Sequence, residues 1–219
     1  MIKYCIFDLD GTLLYTLPTI AHYINLVFAR HSIPAVETDE CRRLVGGGAK
    51  NLITSALAAR GITDAGVVGK YLAEYLEEYD DDPYYLTEIY DGIPELLRAL
   101  KAEGVKLLVL SNKPDAATVA VIDRFFPNEF DAVRGGRSGV PLKPSPEAVY
   151  DLLAELDASP SECGYVGDSD VDVITAIVSH VAKNVTVTWG YRDVSELASA
   201  GATTLCATPD EVRKALLDS

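Results

Sequence analysis

Six short apolar runs rich in Val, Ile and Leu, at residues 4–7, 106–110, 130–133, 164–166, 185–187 and 203–205, alternate with helical patterns at 93–102, 116–125, 146–156, 171–181, 194–200 and 209–217. Runs without polar alternation suit strands buried on both faces, which is the condition of a parallel sheet covered by helices. The repeated order of strand and helix predicts an α/β fold, a doubly wound and mostly parallel sheet of the Rossmann-like kind.

One interval breaks that rhythm. Between about residues 15 and 85 no strand pattern is evident, and helical stretches recur at 17–29, 50–59 and 67–79. Such a length far exceeds an ordinary crossover, since connections beyond about 15 residues are uncommon unless functional. We expect residues 15–85 to form a helical cap inserted after the first strand, with 1–14 and 86–219 as the catalytic core domain. Both ends of the insertion then meet the carboxyl end of the first strand, where open α/β sheets bind ligands and where caps exclude water.

A chain of 219 residues, 48% of them hydrophobic, can bury a substantial core without cross-links. Its four cysteines, Cys5, Cys41, Cys163 and Cys206, form no C-x-x-C pair and have no histidine cluster nearby, so they read as reduced thiols of a cytoplasmic protein. The N-terminus leads straight into the first strand rather than into a signal-peptide pattern. No apolar run approaches the length needed to span a bilayer. With 19 Lys plus Arg against 33 Asp plus Glu, the net charge of -14 repels nucleic acid and anionic membranes. A small anionic ligand remains compatible if positive charge is concentrated in one cleft, and a monomer or homodimer is expected.

Three predicted strands end in unusual polar residues. Phe7 is followed by Asp8-Leu9-Asp10-Gly11-Thr12, Leu110 by Ser111-Asn112-Lys113, and Val166 by Gly167-Asp168-Ser169-Asp170-Val171-Asp172. In a parallel sheet these tips share one edge, and Lys143-Pro144-Ser145-Pro146 adds a cation on a rigid loop before a helix. Gathering Asp8, Asp10, Asp168 and Asp172 in one pocket is costly: two carboxylates about 4 Å apart repel by roughly 4 kcal/mol at an effective dielectric near 20. Such a cluster needs a cation. All-oxygen ligands favour a hard divalent ion, with Mg²⁺ preferred because no EF-hand spacing supports calcium.

These residue types suit phosphoryl transfer, which requires an in-line nucleophile, charge neutralisation and a proton for the leaving group. Asp8 is the candidate nucleophile, and Asp10 the candidate acid and base. Ser111 and Lys143 are expected to hold the phosphoryl group, Asp168 to anchor the metal, and Asp172 to support the metal site or Lys143. Thr12 and Asn112, in the same motifs, are assigned to substrate binding.

On these motifs the chain resembles the haloacid dehalogenase-like hydrolase superfamily, in its phosphoglycolate phosphatase-like branch with a helical cap. The family's four motifs are matched in order by Asp8-Leu9-Asp10-Gly11-Thr12-Leu13, Ser111-Asn112-Lys113, Lys143-Pro144 and Gly167-Asp168-Ser169-Asp170-Val171-Asp172. Each motif also falls at a strand end or loop, the context it requires. The resemblance implies that Asp8, Asp10 and Asp168 bind magnesium, Asp10 through its backbone carbonyl. It also implies a phosphatase, because dehalogenases of the superfamily lack the second aspartate and the phosphonate-cleaving branch has a small residue there. The implied substrate is a small phosphorylated metabolite, phosphoglycolate first, hydrolysed through an aspartyl-phosphate. A sugar-phosphate mutase, which keeps both aspartates, and a non-catalytic binding or regulatory protein are the alternatives.

Two departures from the family pattern stand out. Tyr15 occupies a position that is usually acidic, and Ser179-His180-Val181 replaces the small residue and glycine that usually end the helix after the fourth motif, leaving Asn184 as a substitute left-handed cap. His180 is expected to be structural. In the cap, Arg42, Arg43 and Lys50 flank Gly46-Gly47-Gly48 and are candidates for the substrate's non-reacting end. Tyr71, Tyr75 and Tyr79 recur at helical spacing and are expected to pack the cap or its facing surface, with stacking on a ligand as the alternative. Trp189 is expected to pack or to line the pocket rim.

Overall fold

The computed structural model describes residues 2–218. Its main sheet has six parallel strands in the order β5-β4-β1-β6-β7-β8, namely β1 (Tyr4–Phe7), β4 (Lys106–Pro114), β5 (Ala132–Gly136), β6 (Cys163–Gly167), β7 (Lys183–Val187) and β8 (Leu205–Cys206). β1 lies inside, with Tyr4 opposite Lys106 on one side and opposite Cys163 on the other.

The two-residue period of a strand divides these side chains between two cores. Cys5, Phe7, Leu107 and Val109 pack with Ile93, Leu96, Leu97 and Leu100 of α5 (Ile93–Ala102) and with Val212 and Leu216 of α10 (Pro209–Leu217). Ile6, Leu108 and Leu110 point the other way, onto Ala148, Val149, Leu152 and Leu153 of α7 (Glu147–Ala154) and Ala176 of α8 (Asp170–Val178). Helices therefore cover both faces, as expected for a doubly wound sheet. α6 (Asp115–Phe125) and α9 (Val194–Ser199) complete the α/β part. Among the described residues no helix is long and apolar enough to cross a membrane.

The long insertion is helical: α1 (Leu17–Arg30), α2 (Thr38–Leu44), α3 (Gly48–Ala58) and α4 (Ala65–Asp81). It has its own apolar cluster, including Ile24, Val27, Phe28, Ile53 and Leu57, which reaches Ala117 and Tyr191 of the α/β part. α2 is not evident in the apolar periodicity because, among its residues, only Cys41 is buried. Also beyond sequence reading is a two-stranded antiparallel ribbon, β2 (Leu14–Tyr15) with β3 (Glu88–Ile89), where the chain enters and leaves the insertion. Tyr15 stands there beside Tyr90, with ring centroids 6.0 Å apart.

Several boundaries differ from expectation for local reasons. β4 runs past Leu110 to Pro114 with a register shift, so Ser111-Asn112-Lys113 lies within the strand's irregular end. β5 continues into Gly135 and Gly136 because a Cβ at Gly135 would stand 2.5 Å from the Lys113 carbonyl oxygen; only glycine admits that approach. α8 ends at Val178, and the left-handed residue after it is His180, φ 55°, not Asn184. The amide of Val181 donates to Ala176 O at 3.4 Å, closing the helix as a glycine would.

Candidate active site

The turn after β1 is tight because the amides of Thr12, Leu13 and Leu14 all converge on Leu9 O, at 3.3, 3.0 and 3.1 Å. Gly11 turns the chain at φ 90°, and a Cβ on it would lie 2.4 Å from Asp168 Oδ2, so both conformation and space require glycine. Asp8, whose amide donates to Val166 O at 2.9 Å, prolongs the pairing of β1 with β6 and is held at the strand tip. The carboxylate of Asp10 receives Thr16 Oγ1 at 2.7 Å and Lys113 Nζ at 3.1 Å on Oδ1.

Lys143 is buried between two of the acids. Its ammonium donates to Asp8 Oδ1 and Asp172 Oδ1, each at 2.7 Å, and to Leu110 O at 3.1 Å. The loop carrying it is clasped by Asn112, which receives the Lys143 amide at 2.8 Å and donates to Lys143 O at 2.9 Å and to Gly46 O of the insertion at 2.8 Å. Ser111 is buried at the same edge, and its Oγ accepts from the Lys113 amide at 3.2 Å.

After β6, Ser169 caps α8 in a reciprocal box with Asp172. Asp172 Oδ2 takes the Ser169 hydroxyl and amide, while Oδ1 takes Lys143 and, at 3.0 Å, Tyr165 Oη. Both its oxygens are thus doubly engaged. Asp168 keeps more capacity: Oδ1 accepts from Thr12 Oγ1 at 3.2 Å, and Oδ2 from the Tyr191 amide at 2.7 Å.

Oxygens of Asp8, Asp168 and Asp172 lie within 4.8 Å of one another, all buried. Burial, then the neighbouring Asp172, pushes Asp8 well above the usual carboxylate range, with Lys143 only partly opposing. Burial and Asp172 likewise raise Asp168 to about 7. Burial alone would depress Lys143, but Asp172 and Asp8 outweigh it and hold the ammonium protonated. Three carboxylates around one ammonium leave the site short of positive charge. An all-carboxylate donor set with that deficit fits a divalent metal ion.

The site opens into a cavity of about 60 Å³ between the sheet edge and the insertion. Asp8, Asp10, Ser111, Asn112, Lys113, Lys143 and Asp168 form its floor, and Val45, Ala49, Leu52, Tyr75 and Tyr79 are among its roof. The structure thus gathers Asp8, Asp10, Ser111, Lys143, Asp168 and Asp172 as the motif order implies. Thr12 is off the cavity wall, fully buried, and oriented onto Asp168. Asn112 reaches the cavity, but its amide is taken up in the clasp.

The cations of the insertion lie elsewhere. Lys50 and Arg43 are exposed and outside the cavity lining. Arg42 turns to the α/β part, donating to Tyr191 O at 2.8 Å. The cation that does reach the cavity beside the insertion is Arg192, which donates to Arg42 O at 2.8 Å, Val45 O at 2.6 Å and Asp170 Oδ1 at 3.2 Å. Composition and glycine spacing mark a basic cluster but not the direction its side chains take. Tyr191 and Arg192 join the site without having been assigned a role in it, and Lys113 and Tyr79, named in the second motif and in the tyrosine stripe, enter it through contacts that spacing does not give. A signal existed for the first two, because the tip of β7 meets the same sheet edge as the tips of β1, β4 and β6. Trp189, just before them, packs against the apolar core and donates to Thr12 O at 3.1 Å.

The site thus joins a buried carboxylate at a central strand tip, a lysine held on it and a second aspartate two residues on. The chain belongs to the haloacid dehalogenase-like hydrolases, whose family model matches residues 2–180. Phosphoglycolate phosphatase of Rhodospirillum rubrum is 34% identical over 208 residues, covering 92% of this chain and 86% of that one. Phosphoglycolate phosphatase 1 of Pseudomonas aeruginosa is 30% identical, covering 90% and 73%. Among solved structures, a protein of Lactobacillus delbrueckii subsp. bulgaricus provisionally assigned as a phosphoglycolate phosphatase superposes with a TM-score of 0.94 at 29% identity, covering 99% of both chains. The chain is a phosphatase.

Proposed function

We propose that this phosphatase is Mg²⁺-dependent, acts on a small phosphorylated metabolite of the phosphoglycolate type, and works through an aspartyl-phosphate on Asp8. The observation that carries the reading is the Asp8 carboxylate facing the cavity with Lys143 Nζ 2.7 Å from one of its oxygens. The named activity of the relatives supports the substrate class, and the small cavity supports a compact ester. Residues 15–85 serve as the cap, and the four buried free thiols accord with a reducing, cytoplasmic setting.

Asp8 attacks phosphorus through a carboxylate oxygen, the bond from phosphorus to the ester oxygen breaks, and Asp10 delivers its proton to that oxygen. Water then attacks the phosphoenzyme, giving a proton back to Asp10 and releasing Asp8. Ser111 and Lys143 bind the phosphoryl oxygens, and Asp172 keeps Lys143 aimed. Asp8, Asp168 and the Asp10 carbonyl would hold the metal, which supplies positive charge against the equatorial oxygens. The apolar roof excludes water from the phosphoenzyme while the cap is seated.

The test compares wild type with Asp8→Asn on p-nitrophenyl phosphate, with and without Mg²⁺, followed by a panel of phosphorylated metabolites. Metal-dependent release by wild type and its loss in the variant are expected. Equal release from both proteins sinks the mechanism, and a preference for another ester over 2-phosphoglycolate sinks the substrate assignment.

A further inference from the structure

The acid of the reaction is tied to α4 of the cap through Lys113 and Tyr79. Asp10 Oδ1 accepts from Thr16 Oγ1 and from Lys113 Nζ, whereas Oδ2 has no protein hydrogen bond among the described residues. Asp10 lines the cavity, so Oδ2 is the oxygen left to exchange a proton with the leaving group. The Lys113 ammonium in turn donates to Tyr79 Oη and sits 4.6 Å from the centre of the Tyr79 ring. Lys113 and Tyr79 are 7% and 3% exposed, so water does not substitute freely for either contact.

Tyr79 belongs to α4 of the insertion, Lys113 to the irregular end of β4 and Asp10 to the turn after β1. A cation held between the Tyr79 phenol and the Asp10 carboxylate has a fixed position. Without the phenol, a four-carbon stem leaves the ammonium free to swing away from Asp10.

We propose that Tyr79 is a positioning residue: by holding the Lys113 ammonium on Asp10 Oδ1, it keeps Asp10 oriented to protonate the leaving oxygen only while the cap is seated. This rests on the phosphatase reading above. In the step concerned, the Asp8 oxygen to phosphorus bond forms, the phosphorus to ester-oxygen bond breaks, and the proton moves from Asp10 Oδ2 to the departing alkoxide. When the leaving group is already a stable anion, no proton is needed and Tyr79 has nothing to contribute.

That asymmetry is the test. kcat/KM covers the steps through phosphorylation of Asp8, so it is measured for Tyr79→Phe on acetyl phosphate, which expels acetate, and on 2-phosphoglycolate or the best alkyl phosphate of the panel. Expected is a drop of about tenfold on the alkyl ester, with acetyl phosphate within about twofold of wild type, since a hydrogen bond to a charged group is at stake. Lys113→Gln, read the same way, should show the same leaving-group dependence with a larger alkyl-ester drop, and it decides the matter if Tyr79→Phe misfolds by circular dichroism. Equal drops on both substrates, or no drop on either, overturn the proposal. Absence of turnover by wild type, or turnover undiminished in Asp8→Asn, strikes the phosphatase reading instead.

Discussion

Lys143 and Asp172 form a buried pair at 2.7 Å in which the carboxylate's other oxygen is already taken by Ser169. On the proposed mechanism Asp172 acts through the lysine it aims. Asp168, accepting one hydrogen bond on each oxygen, keeps lone pairs for a metal ion. Asp172→Asn should lower kcat by about 10–100-fold with the half-saturating Mg²⁺ concentration changed less than about threefold. Asp168→Asn should raise that concentration at least about tenfold. Magnesium titrations of phosphate release on the two variants check the contrast.

Stability should also register the crowded carboxylates. Burial raises Asp168 to about 7 in the folded chain, well above the ordinary value of about 4. A carboxyl that holds its proton more tightly when folded contributes stability that is complete below about pH 4 and lost as pH rises through about 7. Metal bound to the ionised form should restore it. The rise in Tm on adding Mg²⁺ should be at least about 4 °C larger at pH 8 than at pH 5, by thermal melts in chelator and in magnesium. Asp168→Asn should erase that difference.

Gly190 closes the wall behind Asp168. A Cβ there would stand 2.2 Å from the Asp168 Cβ and 2.3 Å from its Oδ2. Gly190→Ala should shift Asp168, destabilise the fold by about 1–3 kcal/mol and cut activity about 100-fold. Gly69, inside α4 with open space where a Cβ would go, is the contrasting case. Gly69→Ala should stabilise by about 0.5–1 kcal/mol in denaturant titrations with activity intact.

Seating of the cap should depend on Arg192 and not on Lys50. Arg192 joins Asp170 to the carbonyls of Arg42 and Val45 beside the cavity, whereas Lys50 is exposed and outside the cavity lining. Arg192→Ala should lower kcat/KM about tenfold, the loss expected when hydrogen bonds to a charged group disappear. Lys50→Ala should stay within about twofold. Steady-state kinetics on one substrate separates the two.

How far the chain could be read beforehand follows from which forces act locally. The strands of the main sheet are legible because burial on both faces writes an apolar run directly into sequence, as in Tyr4-Cys5-Ile6-Phe7. The core motifs are legible because Asp8, Ser111, Lys143 and Asp168 stand at the tips of such runs or just before a helix. The ribbon of Leu14–Tyr15 with Glu88–Ile89 is not, since its two-residue strands carry no period and pair across the whole insertion. Nor is the end of α8, where His180 adopts a conformation usually left to glycine because Val181 and Ala176 close the turn around it. The direction of Arg42 and the engagement of Lys113 by Tyr79 depend on packing between distant segments. No spacing rule carries that information.

The position of β1 has a consequence for how the protein is made. The strand that leads into Asp8 leaves the ribosome well before its two neighbours, which begin at Lys106 and Cys163. Translation of the intervening chain takes on the order of ten seconds, during which β1 can satisfy neither edge with its native partners. The emerging chain must shelter an apolar strand over that interval, and the helices of the insertion, whose contacts are largely among themselves, are the first part able to fold. The setting of Asp8 is therefore complete only when β6 arrives, because the Asp8 amide donates to Val166 O of that strand.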